Sequence, residues 1–134
     1  MLSLERRKKV LELAVKYQTL IVEDDPYGDL YFGEPPPPSI LALSKDVPGS
    51  RELIAHCGSL SKVLSPGLRI GWMIAPPELL AKATMCKQFS DAHTSTFAQA
   101  TAAQYLKAGR MQTDDFSACR SEATDAIGME GQSM

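Results

Sequence analysis

Glu52-Leu53-Ile54-Ala55-His56-Cys57, Gly58-Ser59-Leu60-Ser61-Lys62-Val63-Leu64-Ser65-Pro66-Gly67 and Leu68-Arg69-Ile70-Gly71-Trp72-Met73-Ile74 follow one another without a break. The outer segments are short apolar runs and the middle one is built from small, polar and turn-forming residues, a pattern that predicts two strands flanking a loop. Upstream, Leu20-Ile21-Val22 runs into Glu23-Asp24-Asp25-Pro26-Tyr27-Gly28. A β-branched apolar run closed by acidic and turn residues predicts a third strand, buried on both faces, with Asp24 emerging at its carboxyl end.

Helices account for much of the rest. Ser3 is placed to cap a helix over Leu4 to Gln18, with Arg6 rather than an acid at the third helical position, and Val10, Leu11, Ala14 and Tyr17 recur at helical spacing. Pro76-Pro77-Glu78 opens a second helix toward Phe89, with Leu79, Leu80, Ala83 and Cys86 on one side. An alanine-rich stretch from Thr96 to Leu106 predicts a third helix, stopped by Gly109. Glu34-Pro35-Pro36-Pro37-Pro38 excludes a helix interior and a central strand, and reads as a stiff connector. The succession of helices and apolar strands is that of an α/β domain, a mixed or parallel sheet covered by helices. Ligands of open α/β sheets sit beyond the carboxyl ends of strands, which puts Asp24, Tyr27 and the Lys62 loop on one rim.

Composition narrows the class without naming it. The 134 residues are 44% hydrophobic and 22% charged, with a net charge of -2, which is globular and lacks the basic footprint of a nucleic-acid partner. The basic run Arg6-Arg7-Lys8-Lys9 falls within the first helix and is expected on its solvated face. No apolar segment approaches the length of a bilayer span, and the N-terminus is charged where a secretion signal needs apolar residues. Cys57, Cys86 and Cys119 are far apart, with no metal-binding spacing to each other or to His56 and His93, so reduced thiols and no metal are expected. A divalent-cation cluster of Glu23, Asp24, Asp25 and Asp29 is the rival, and it leaves Lys62 and Arg69 without a role.

Together the two polar segments provide an amine, a carboxylate, a phenol, hydroxyls and a guanidinium, the groups that pyridoxal phosphate requires of a protein. Lys62 is the amine for a Schiff base and a later proton carrier; Asp24 is the carboxylate for a protonated ring nitrogen. Tyr27 suits the ring oxygen, and Ser59, Ser61 and Arg69 suit a phosphate, with Arg69 able to offer parallel N–H donors. Each group alone is commonplace; the order Asp-x-x-Tyr, Ser-x-Ser-Lys, Arg is what carries information.

In that combination the chain resembles the large-domain core of fold-type I pyridoxal phosphate-dependent aminotransferases of class I/II. The resemblance is to the branch of 2-aminoadipate and kynurenine aminotransferases and of the aminotransferase-like domains of MocR-type regulators. It runs from Ser3 to Arg110 and rests on Glu23-Asp24-Asp25-Pro26-Tyr27, Gly58-Ser59-Leu60-Ser61-Lys62 and Gly67-Leu68-Arg69-Ile70-Gly71. It implies a fragment of a three-layer α/β/α large domain over residues 1–110 and a divergent tail over 111–134 with little packing of its own. It further implies amino-group transfer from an amino acid to a 2-oxo acid, with Lys62 catalytic and Asp24, Tyr27, Ser59, Ser61, Lys62 and Arg69 binding the cofactor. A cytoplasmic homodimer with no nucleic-acid or membrane contact from this segment is the expected setting. The alternatives are the effector domain of a MocR-type regulator and an inactive remnant. The family's upstream glycine-rich phosphate loop, its stacking aromatic and its small-domain arginine have no counterpart in these residues, so the chain alone is expected to bind the cofactor poorly.

Overall fold

The computed structural model describes residues 2–28, 30–31 and 34–108. The expected tail over 111–134, Gly109, Cys119 and Asp29 lie outside the described residues. The elements are α1 (Leu4–Tyr17), β1 (Ile21–Asp24), α2 (Ile40–Leu43), β2 (Ile54–Ser59), β3 (Gly71–Ile74), α3 (Pro77–Asp91) and α4 (Thr96–Lys107).

Local chemistry sets the ends of α1. The Ser3 hydroxyl accepts from the Arg6 backbone N–H at 3.4 Å, Glu5 lies in the first turn, and Gln18 takes a left-handed conformation (φ 50°) that turns the chain out of the helix. Leu11 and Ala14, one turn apart, are buried, and Leu11 joins Ile40, Leu43 and Ile54 in the core. The basic run is not wholly a solvated face. Arg7 turns inward with its side chain only 13% exposed and pairs with Glu23, because the i+4 spacing from Arg7 to Leu11 puts both on the side facing the sheet. Lys8 and Lys9 stay outside, on Asp46 at 2.9 Å and Glu12 at 2.8 Å.

The three-stranded sheet runs β1-β2-β3, with β1 parallel to β2 and β3 antiparallel to it. A parallel pair needs a crossover, and here it consists of the prolines, α2 and two 3₁₀ turns (Ser44–Asp46, Arg51–Leu53). The polyproline connector is tethered to α1 by the Arg7 guanidinium, which donates to the Pro38 carbonyl at 3.1 Å.

Register assigns the faces. Ile21 and Glu23 align with Ile54 and His56, and His56 aligns with Ile74, so these side chains share the face that meets α1 and α2. Val22, Asp24, Cys57 and Met73 share the other. The expectation of a strand buried on both faces therefore fails for β1: Val22 is 65% exposed, although Ala55, its partner on β2, is buried.

The strand expected over Leu68–Ile74 begins only at Gly71, because Pro66–Leu68 winds into a 3₁₀ turn. The strand expected over 52–57 is displaced to Ile54–Ser59, since Arg51–Leu53 forms a 3₁₀ turn and pairing with β3 extends it through Gly58 and Ser59. On α3, Leu79, Leu80 and Ala83 are half-buried on the expected side and Cys86 is exposed. Cys57 and Cys86 are free thiols. Among the described residues no helix is long and apolar enough to cross a membrane.

Candidate functional site

Parallel pairing brings the carboxyl ends of β1 and β2 together. Asp24 lies opposite Cys57, the Asp25 N–H donates to the Cys57 carbonyl at 2.9 Å, and Ser59 ends β2 opposite Gly71 at the start of β3. The rim expected from the sequence exists.

The loop that presents Lys62 is held by its own backbone. The Leu60 N–H donates to the Ile70 carbonyl at 3.0 Å, and the Leu60 carbonyl accepts from Leu64 and Ser65 N–H at 2.9 and 3.0 Å. Leu60 is buried, so one apolar side chain and one carbonyl anchor the turn while Lys62 at its crest stays exposed. The Ser59 hydroxyl accepts from the Ser61 N–H at 3.0 Å and donates to the Ile70 carbonyl at 3.3 Å, so the two serines are brought together. The Lys62 Nζ lies over the Tyr27 ring, 5.4 Å from its centroid, within the range of a cation–π contact.

Two expected residues stand apart from that pair. Arg69 takes a left-handed conformation (φ 53°) and its guanidinium reaches back to the Pro66 carbonyl at 3.5 Å, so it stays on its own loop. The Asp24 side chain is exposed and makes no hydrogen bond or ion pair among the described residues. Its effect is felt by its neighbour: burial pushes the Cys57 thiol above its ordinary value, and the Asp24 carboxylate adds to the rise.

The three carboxylates that end β1 diverge. Glu23 faces inward: its carboxylate accepts from the Ile40 and Leu41 N–H at 2.6 and 3.1 Å, and it meets His56 Nδ1 at 2.7 Å and Arg7 at 3.7 Å. Asp24 faces outward, and the Asp25 carboxyl folds back over Gly28, where any β-carbon would overlap it. Glu23 and Asp24 therefore do not converge on a common cation, and no metal-holding group is found among the described residues. The inward role of Glu23 escaped the sequence reading; its one signal was an acid in phase with the apolar Ile21.

A cleft of about 420 Å³ opens beside the rim, lined by Asp25, Ser59, Leu60, Ile70, Trp72 and Ala102 among others. Of the expected site residues only Ser59 reaches it. Trp72 lies across Gly58 and stacks obliquely on His56, with centroids 5.2 Å apart. The site is thus an open rim rather than this cleft, and it carries an amine beside a phenol, an exposed carboxylate, two serines linked through the Ser61 N–H, and a guanidinium held on its own loop.

The family model for aminotransferase class I and II matches residues 1–126. The aromatic-amino-acid aminotransferase 1 of Thermococcus litoralis is 43% identical over 106 residues, 78% of this chain and 24% of that protein. An uncharacterized HTH-type transcriptional regulator of Bacillus subtilis, YisV, is 39% identical over 108 residues, 81% of this chain and 21% of the regulator. Among solved structures, the α-aminoadipate aminotransferase LysN of Thermus thermophilus, complexed with N-(5'-phosphopyridoxyl)-L-leucine, superposes with a TM-score of 0.78 at 36% identity. That match covers 89% of this chain and 30% of that one. The chain spans about a quarter of the length of the curated relatives it matches, and its described residues form part of an α/β domain. It belongs to the class I and II aminotransferase family.

Proposed function

We propose that residues 1–110 form the lysine-bearing part of the large domain of a pyridoxal phosphate-dependent aminotransferase, which moves an amino group from an amino acid to a 2-oxo acid. The observation that carries this reading is the approach of the Lys62 Nζ to the Tyr27 ring on the rim that also bears Asp24, Ser59 and Ser61. The donor set fits the cofactor in kind: amine, carboxylate, phenol, hydroxyls and guanidinium. When bound, pyridoxal phosphate supplies the electron sink for the bond broken at the substrate's α-carbon.

Lys62 would be the covalent anchor, and its amine, once free, would carry the proton removed at the substrate's α-carbon. Asp24, unpaired, is available to hold a proton on the ring nitrogen. The Tyr27 hydroxyl would donate to the ring oxygen. Ser59 and Ser61 offer hydroxyls to the phosphate, and Arg69 joins them by leaving the Pro66 carbonyl, a contact at the limit of hydrogen-bond length. A cytoplasmic homodimer is the setting this reading implies. The similarity to HTH-type regulators supports a second reading, a ligand-sensing domain with the same cofactor and no turnover.

Borohydride reduction in the presence of pyridoxal phosphate, followed by peptide mapping, tests the assignment on the longest protein that carries this chain. The pyridoxyl group is expected on Lys62. Its appearance on Lys45, Lys82 or Lys87 would overturn the assignment, and labelling of Lys62 without amino transfer to any 2-oxo acid would favour the sensing domain.

A further inference from the structure

Glu23, Asp24 and Asp25 are successive residues at the end of an exposed edge strand, and strand side chains alternate between faces. A slip of one residue in the pairing of β1 with β2 would send Asp24 inward and leave Glu23 or Asp25 on the rim. All three are carboxylates, so charge alone does not select among them. Hydrophobic patterning does little more, because Val22 is 65% exposed and Ile21 half-buried, which leaves the strand little apolar bias of its own.

The inward face does discriminate. The Glu23 carboxylate is tied to four donors from three separate elements: the Ile40 and Leu41 N–H of α2, His56 of β2 and Arg7 of α1. Its side chain is only 9% exposed. An aspartate is one methylene shorter and does not span from β1 to α2 with the same contacts. We propose that Glu23 is a positioning residue that sets the phase of β1, and so selects Asp24, rather than Asp25, as the carboxylate presented on the Lys62 rim. The functional meaning rests on the aminotransferase reading, but the geometry is open to test without cofactor.

Cys57 supplies the reporter, because it lies opposite Asp24 on the outer face. Alkylation of Cys57 by iodoacetamide at mildly alkaline pH is followed peptide by peptide, which separates it from Cys86 and Cys119. With Glu23 present, Asp24→Asn is expected to speed Cys57 alkylation about threefold by removing a neighbouring negative charge from the thiolate, and Asp25→Asn to change it by less than about 1.5-fold. In Glu23→Gln, which keeps the shape and loses the charge, the two effects are expected to converge; Glu23→Ala should show the same convergence more strongly. Far-UV circular dichroism establishes that each variant is folded. A folded Glu23→Gln that keeps the full Asp24-against-Asp25 contrast overturns the proposal. So does unfolding of both variants, which would make Glu23 a general buttress rather than a selector. Failure here leaves the Lys62 labelling result untouched, so the two readings fall separately.

Discussion

Gly58 is glycine because of what lies over it. A β-carbon there would sit inside the Trp72 ring, which would have to swing off the strand to admit it. Gly58→Ala is expected to cost about 1–3 kcal/mol as an overpacked site, read as a lowered melting temperature, and to disturb the adjoining Ser59 loop. Its neighbour Cys57 makes a pH prediction. The thiol is raised above its ordinary 9.0, by burial first and by Asp24 second. Between that ordinary value and the raised one the folded chain holds a proton that the unfolded chain has released, so stability is full below pH 9.0 and falls as pH rises through the window. Cys57→Ser should flatten that alkaline slope in denaturant titrations, and an unchanged slope would assign it to other groups.

At the scale of elements, burial distinguishes helices that look alike in sequence. Both α1 and α3 carry apolar residues at helical spacing, but Leu11 is fully buried in the core of α1, whereas α3 has no buried residue and Phe89 is 88% exposed. Leu11→Ala is therefore expected to destabilise by about 2–5 kcal/mol, and Phe89→Ser to leave the melt within about 0.5 kcal/mol. Equal effects in thermal denaturation would mean that α3 is packed in solution. The helix positions were legible because capping and periodicity are local: Ser3 and the Pro76-Pro77 pair mark starts that the fold uses. The strand starts were less so. Arg51–Leu53 and Pro66–Leu68 wind into 3₁₀ turns, and where a strand begins depends on the partner that accepts its hydrogen bonds.

At the scale of the whole molecule, among the described residues one sheet face meets α1 and α2, and the other is open at β1 and β3. Val22 and Met73 on the open face are more than a third exposed, as are Trp72 and Ile74 at the β3 end of the covered one, and among the described residues β1 and β3 are both edges. Exposed apolar residues on unpaired edges favour association between copies. The chain on its own is expected to elute as mixed oligomers in size-exclusion chromatography and to bind pyridoxal phosphate weakly by absorbance titration; a monodisperse monomer with tight, stoichiometric binding would contradict both expectations. The parts of the site followed from sequence because they are short ordered motifs: Asp24 with Tyr27, Ser59 with Ser61 and Lys62, and Arg69 downstream. That the first two groups would share a rim followed from the parallel order of their strands. What the tertiary structure alone decided is where each side chain went. Glu23, Asp24 and Asp25 are equivalent by local chemistry, and they part company because Arg7, Ile40, Leu41 and His56, distant along the chain, converge on Glu23 alone. Strand phase is set by partners across space, and a single strand's sequence does not contain them.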